Sequence, residues 1–154
     1  MRHGWRAAAL AITLAGCGLK SDPVAPELVR PLPPAKVTGT SVHDGVELRW
    51  RRPTSYTGGK RMRDLGGFDI ERAPASGSPF TTVGTLSLSD QQRYRQQRTI
   101  TWTDPTAVPG TEYLYCVIAF TTDGSRSDRS PVIHVRYVPP PPAAAKPGAS
   151  KPAD

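Results

Sequence analysis

Cysteine is nearly absent from this chain: Cys17 and Cys116 are the only two in 154 residues. Two thiols make no disulfide framework, so stability has to come from a packed core and not from cross-links. Histidine is equally scarce, with His3, His43 and His134 as the whole supply. No His-x-x-x-His pair and no order of a nucleophilic triad is present, which removes the side chains that zinc hydrolysis and acyl transfer require. Apolar runs are short as well. The stretch from Ala7 to Leu14 falls well below the roughly 20 residues that cross a bilayer as a helix. A 3.6-residue periodicity is missing after the first twenty positions, which excludes a helical bundle.

Proline and glycine are plentiful, at seventeen and fourteen. Both punctuate the chain at short intervals, which is the pattern of brief strands joined by turns, and all-β is the expected class. The balance of charge is basic, +7 with a sequence pI near 9.8, and biases the protein toward anionic surfaces. Loss of the first sixteen residues would remove Arg2 and Arg6 and leave the remainder basic.

Residues 1–16 have the layout of an export signal: a charged start (Arg2, His3, Arg6), the apolar segment Ala7 to Leu14, then the small residues Ala15 and Gly16. The tetrad Leu14-Ala15-Gly16-Cys17 resembles the lipobox of bacterial lipoproteins. That resemblance implies cleavage before Cys17, a diacylglyceryl group on its sulfur and an acyl group on the new amine. No other cofactor is expected. Two or more acyl chains hold a protein stably on a leaflet without inserting it. Gly18, a residue other than aspartate after the cysteine, implies sorting to the outer membrane in preference to the inner one.

From 17 to 33 the chain carries Pro23, Pro26, Pro31 and Pro33, expected as an extended spacer off the membrane. A domain is expected over 34–138. Within it Val42, Val46, Leu48 and Trp50 alternate with His43, Glu47 and Arg49 about an Asp44-Gly45 turn, the signature of a hairpin with one buried face. Gly67 to Arg72 repeats the alternation with Phe68 and Ile70 on one side, Phe80 to Leu86 is a weaker strand, and Ile100 and Trp102 alternate with threonines. Glu112 to Phe120 is the longest β-favouring run and Val132 to Val138 the last, which makes about seven strands. The tail, 139–154, has too little apolar content to offset ordering entropy and is expected to be disordered.

Two stretches carry a second resemblance. Val46-Glu47-Leu48-Arg49-Trp50-Arg51-Arg52-Pro53 is similar to the Val-x-Leu-x-Trp-x-x-Pro strand of fibronectin type III domains, and Pro109-Gly110-Thr111-Glu112-Tyr113-Leu114-Tyr115 to their Pro-Gly-x-x-Tyr-x-Tyr strand. Gly124, Ser127 and Ser130 match a weaker Gly-x-x-Ser-x-x-Ser lead into the final strand. The resemblance implies an all-β, immunoglobulin-like, seven-stranded sandwich in which Trp50 packs between the sheets and Tyr113 forms a tyrosine corner. Larger than the family pattern are a basic loop, Thr54 to Gly66, and a polar insert, Ser87 to Arg98.

These two insertions hold the candidate binding residues. Arg51, Arg52, Lys60, Arg61 and Arg63 cluster at the first, and Arg93, Arg95 and Arg98 surround Tyr94 in the second. Guanidinium forks beside an aromatic suit phosphates, carboxylates or sulfated sugars, although a solvated hydrophilic loop is the commoner fate of such a run. Cys116 falls between the inward-facing Tyr115 and Val117 and is expected to face out of its sheet as an inert thiol. The loop Thr121 to Ser130 has no Arg-Gly-Asp, so integrin-type adhesion finds no support. The function expected is a non-enzymatic lipoprotein of the cell envelope, anchored to the membrane and displaying a module that binds an envelope protein. The alternative is an anionic polysaccharide, lipopolysaccharide or peptidoglycan held by the arginine loops. Nucleic acid is not an expected partner.

Overall fold

The computed structural model describes residues 25–95 and 98–141. The expected export signal, Cys17 and nearly all of the tail therefore lie outside the described residues. Seven strands form: β1 (Ala35–Val42), β2 (Gly45–Arg51), β3 (Leu65–Pro74), β4 (Thr81–Ser87), β5 (Thr99–Asp104), β6 (Glu112–Thr121) and β7 (Ile133–Arg136). They pair antiparallel in two sheets, β1-β2-β5 and β4-β3-β6-β7, stacked as a sandwich.

The period-2 pattern explains which faces meet. Val46, Leu48 and Trp50 from β2 point at Phe68 and Ile70 from β3 and at Tyr113, Tyr115 and Val117 from β6, all buried in one cluster. Trp50 stands edge-on to Phe68 with ring centroids 5.2 Å apart, a favoured aromatic arrangement. Register brings Leu48 opposite Trp102 and Trp50 opposite Ile100. Trp102 then reaches toward β4, where any β-carbon at Gly84 would lie 2.2 Å from its ring, so glycine there makes room for the indole. Asp44-Gly45 turns the first hairpin as its composition implies, with Gly45 at a φ of 144° and its α-carbon against the Asp104 carbonyl.

The serine motif before β7 has a definite task. Ser127 and Ser130 lie along the edge of β6, where their amides donate to the carbonyls of Ala119 and Val117. Their hydroxyls accept from the amides of the same two residues, at 2.9 and 3.0 Å. Side chains thus continue a ladder that the backbone leaves, and the Val117 and Ala119 amides are not stranded.

Two segments differ from expectation. The polar insert after β4 contains a short helix, α1 (Asp90–Tyr94), where a flexible loop was expected. Ser89 accepts from the Gln92 amide and Gln92 reaches back to the Ser89 amide, a complete capping box. The proline-rich stretch also does not stand clear of the domain. From Pro26 it forms a 3-10 turn, and Leu28, Arg30 and Leu32 exchange backbone hydrogen bonds with Ser55, Thr57 and Gly58. Pro31 and Pro34 are buried there, so prolines that deny a sheet its donors still fill space at its margin.

Candidate functional site

Topology places the N-terminal segment, the β2–β3 loop, the β4–β5 insert and the β6–β7 loop at one end of the sandwich. The two arginine-bearing insertions, separate in sequence, meet there. Arg52, Arg61, Arg63, Arg93, Arg95 and Arg98 surround a groove of about 510 Å³ floored by Met62 and Leu65, with Tyr94 on its rim. Tyr94 is 78% exposed, which leaves a ring face open for stacking. Among the described residues no carboxylate lines the groove.

A second groove of about 520 Å³ adjoins it and shares Arg98. It opens where β1 slips register between Ala35 and Thr38, with Lys36 bulged at a φ of 53°. Lys36, Arg49 and Arg51 line it; among the described residues no carboxylate does, although Arg49 lies 3.9 Å from Glu47. Arg51 therefore belongs to this second groove, and Lys60 lines neither.

The arginines are not equivalent. Arg52 is half-buried, and its guanidinium donates to the carbonyls of Gln92, Arg93 and Arg95 at 2.9, 2.7 and 3.4 Å. It closes the C-terminal end of α1, a structural duty that leaves little of the fork for a ligand, and burial lowers its pKa. Arg93 pairs with Asp90 one turn earlier at 2.9 Å, and its Nε is buried without an acceptor. Arg61, Arg63, Arg95 and Arg98 are exposed and make no ion pair among the described residues. Nearby, Tyr56 donates to Asp64; burial and that carboxylate push the phenol up to about 12 and hold the loop that carries Arg61 and Arg63.

Elsewhere among the described residues the buried Trp50 Nε1 has no partner, but the charged side chains at the opposite end and on the four-stranded sheet are matched. At the opposite end Asp104, fully buried, accepts from Arg72 at 2.6 Å, from the Tyr115 hydroxyl at 2.8 Å and from the amide and hydroxyl of Thr106 at 2.9 and 2.7 Å. Burial alone would raise this carboxyl, but the Thr106 donors, Tyr115 and Arg72 prevail and hold it below its usual 3.8. The Tyr113 hydroxyl accepts from the Val108 amide at 3.1 Å, the geometry of a tyrosine corner. On the outer face of the four-stranded sheet, Arg126 and Arg129 from the β6–β7 loop pair with Asp69 and Glu71. Beneath them Cys116 is fully buried with its thiol 3.6 Å from Glu71, which accounts for a thiol that faces outward yet meets no solvent. Among the described residues no group of three or more His, Cys, Asp or Glu is placed to hold a metal, and no helix is long and apolar enough to cross a membrane.

No family model and no curated protein matches the chain. Solved structures do. The twitchin kinase region from C. elegans (Fn31-NL-kin-CRD-Ig26) superposes with a TM-score of 0.52 at 20% identity, over 71% of this chain and 17% of that one. Titin domains A168-A170 give 0.51 at 22% identity, over 71% and 32%. The fold is fibronectin type III-like. A β-1,2-glucanase from Parabacteroides distasonis matches the same sandwich with a TM-score of 0.50 at 13% identity, over 72% of this chain and 13% of that one. The fibronectin type III-like chain thus corresponds to a minor part of each larger protein, and at these identities the likeness is one of fold. Such a sandwich is compatible with a protein-interaction module.

Proposed function

We propose that this protein is a lipid-anchored lipoprotein of the cell envelope that displays one fibronectin type III-like module to a protein partner and has no catalytic activity of its own. The observation that carries this reading is the tetrad Leu14-Ala15-Gly16-Cys17 behind a charged start and an apolar run, a few residues before a sandwich that closes its own core. Acyl chains on Cys17 would supply the attachment, and Gly18 favours the outer membrane. Intact mass and membrane fractionation of wild type and Cys17→Ala test it. An acylated chain beginning at residue 17 in the membrane fraction, released or unprocessed in the variant, is the expected result. A soluble wild type cleaved elsewhere overturns it.

A second reading is favoured by the meeting of the two insertions: the exposed arginines beside Tyr94 suit an anionic glycan, lipopolysaccharide or peptidoglycan. Binding that weakens steeply with added salt separates this from an apolar protein interface.

A further inference from the structure

The two ends of the sandwich differ sharply in charge. The four segments at the end where the chain enters, 26–34, 52–64, 88–98 and 122–132, hold ten Lys or Arg against five Asp or Glu. Four of those five carboxylates are engaged, Asp64 by Tyr56, Asp90 by Arg93, Asp123 by Thr121 and Asp128 by Arg30. The turns at the opposite end, 43–44, 75–80, 105–111 and 137–141, hold no Lys or Arg at all.

Apolar exposure is weighted to the same end. Leu28, Val29, Leu32, Tyr94 and Val132 are exposed at the basic end, between 36% and 78%, against Val108 and Val138 at the opposite one. Exposed arginines interleaved with aliphatic and tyrosine side chains are the composition of a surface that rests at the polar boundary of a bilayer. Position agrees with composition. Only eight peptide bonds separate Cys17 from Ala25, a reach of at most about 30 Å.

We propose that the arginine-bearing end of the sandwich docks on the anionic headgroups of the leaflet that holds the Cys17 lipid. The phosphate groups of those lipids are the ligand of the groove beside Tyr94, and docking fixes the module with the turns that lack Lys and Arg directed away from the membrane. This rests on the lipid-anchor reading for its cellular setting, but the headgroup contact is a property of the folded domain. Arg61, Arg63, Arg95 and Arg98 supply the attraction, because Arg52 and Arg93 are occupied within the fold. A leaflet is favoured over a soluble glycan because cations and exposed apolar side chains share one end, and a sulfated chain in water has no use for the latter.

The test uses residues 17–154 carrying Cys17→Ser, which contain the whole sandwich and accept no lipid. Co-sedimentation is measured with vesicles of phosphatidylcholine alone and of phosphatidylcholine with phosphatidylglycerol, at low and high salt. Binding to the anionic vesicles only, lost at high salt, is expected. Each of Arg61→Ser, Arg63→Ser, Arg95→Ser and Arg98→Ser is expected to weaken it about fivefold, while Arg136→Ser on β7 leaves it unchanged. Equal sedimentation with both vesicle types, or a quadruple variant that binds like the parent, overturns the proposal. So does retention on dextran sulfate without vesicle binding, which would assign the groove to an anionic glycan. Since the tested chain is unlipidated, its result does not depend on whether Cys17 is acylated, which intact mass decides.

Discussion

The two ends of this sandwich use the same residue types for opposite purposes. At the far end Arg72 lies over the Tyr113 ring at 4.6 Å and grips Asp104, and every polar group of that network has a partner. At the entry end Arg61, Arg63, Arg95 and Arg98 stand around a groove with no carboxylate among the described residues to meet. A buried guanidinium without a counter-charge is costly, so a paired one contributes to the fold. An exposed one costs little, and its charge remains available to a partner. The difference shows where folding is secured and where binding is possible.

Removing the far-end carboxylate should have the largest effect. Asp104→Ala leaves Arg72, Tyr115 and Thr106 with donors facing a void, and urea titration is expected to show a loss of about 3 kcal/mol or more with vesicle binding unchanged. The same contact sets an acid limit. The folded carboxyl titrates below its ordinary 3.8, so its contribution is present above that pH and disappears as pH falls through the lower folded value. The parent should lose stability as pH falls below about 3.8, and Asp104→Asn should reduce that dependence in urea titrations across the acid range.

Arg52→Ala comes next, because it is the one groove arginine that holds structure together. Three carbonyls lose a charged donor, and a destabilisation of about 2 kcal/mol is expected, together with faster proteolytic cleavage at Tyr94. Arg52→Lys should not restore it, since an ammonium does not fork across three acceptors. Arg61→Ala, in contrast, should change thermal stability negligibly. Tyr113→Phe, which deletes the hydrogen bond to the Val108 amide, is expected to cost about 1 kcal/mol in a urea titration.

Cys116 provides the smallest effect and a check on both ends together. Burial and the Glu71 charge push its thiol up to about 11, so it stays protonated at neutral pH. Iodoacetamide at pH 8 should label it only after unfolding. Prompt labelling of the native protein would mean that Arg126 and Arg129 do not cover the sheet.

The core was readable because strand geometry has a period of two. Val46, Leu48 and Trp50, or Tyr113, Tyr115 and Val117, declare one buried face without any knowledge of what they meet. The helix α1 was equally present as Ser89-x-x-Gln92, a capping signal obscured by the glutamines and arginines after it that read as solvated loop. The pairing of Arg72 with Asp104 left no local trace. These residues are distant in sequence and adjacent only because β3 and β5 face each other across the core.

The arginines divide along the same line. Composition and turn spacing were enough to specify an all-β module and basic insertions, because each is a property of neighbours along the chain. Which guanidinium would clasp a helix end, which would pair and which would stay free depended on how two distant insertions meet at one end of the sandwich. Contact energy falls off within a few ångströms, so only the closed fold could assign those roles.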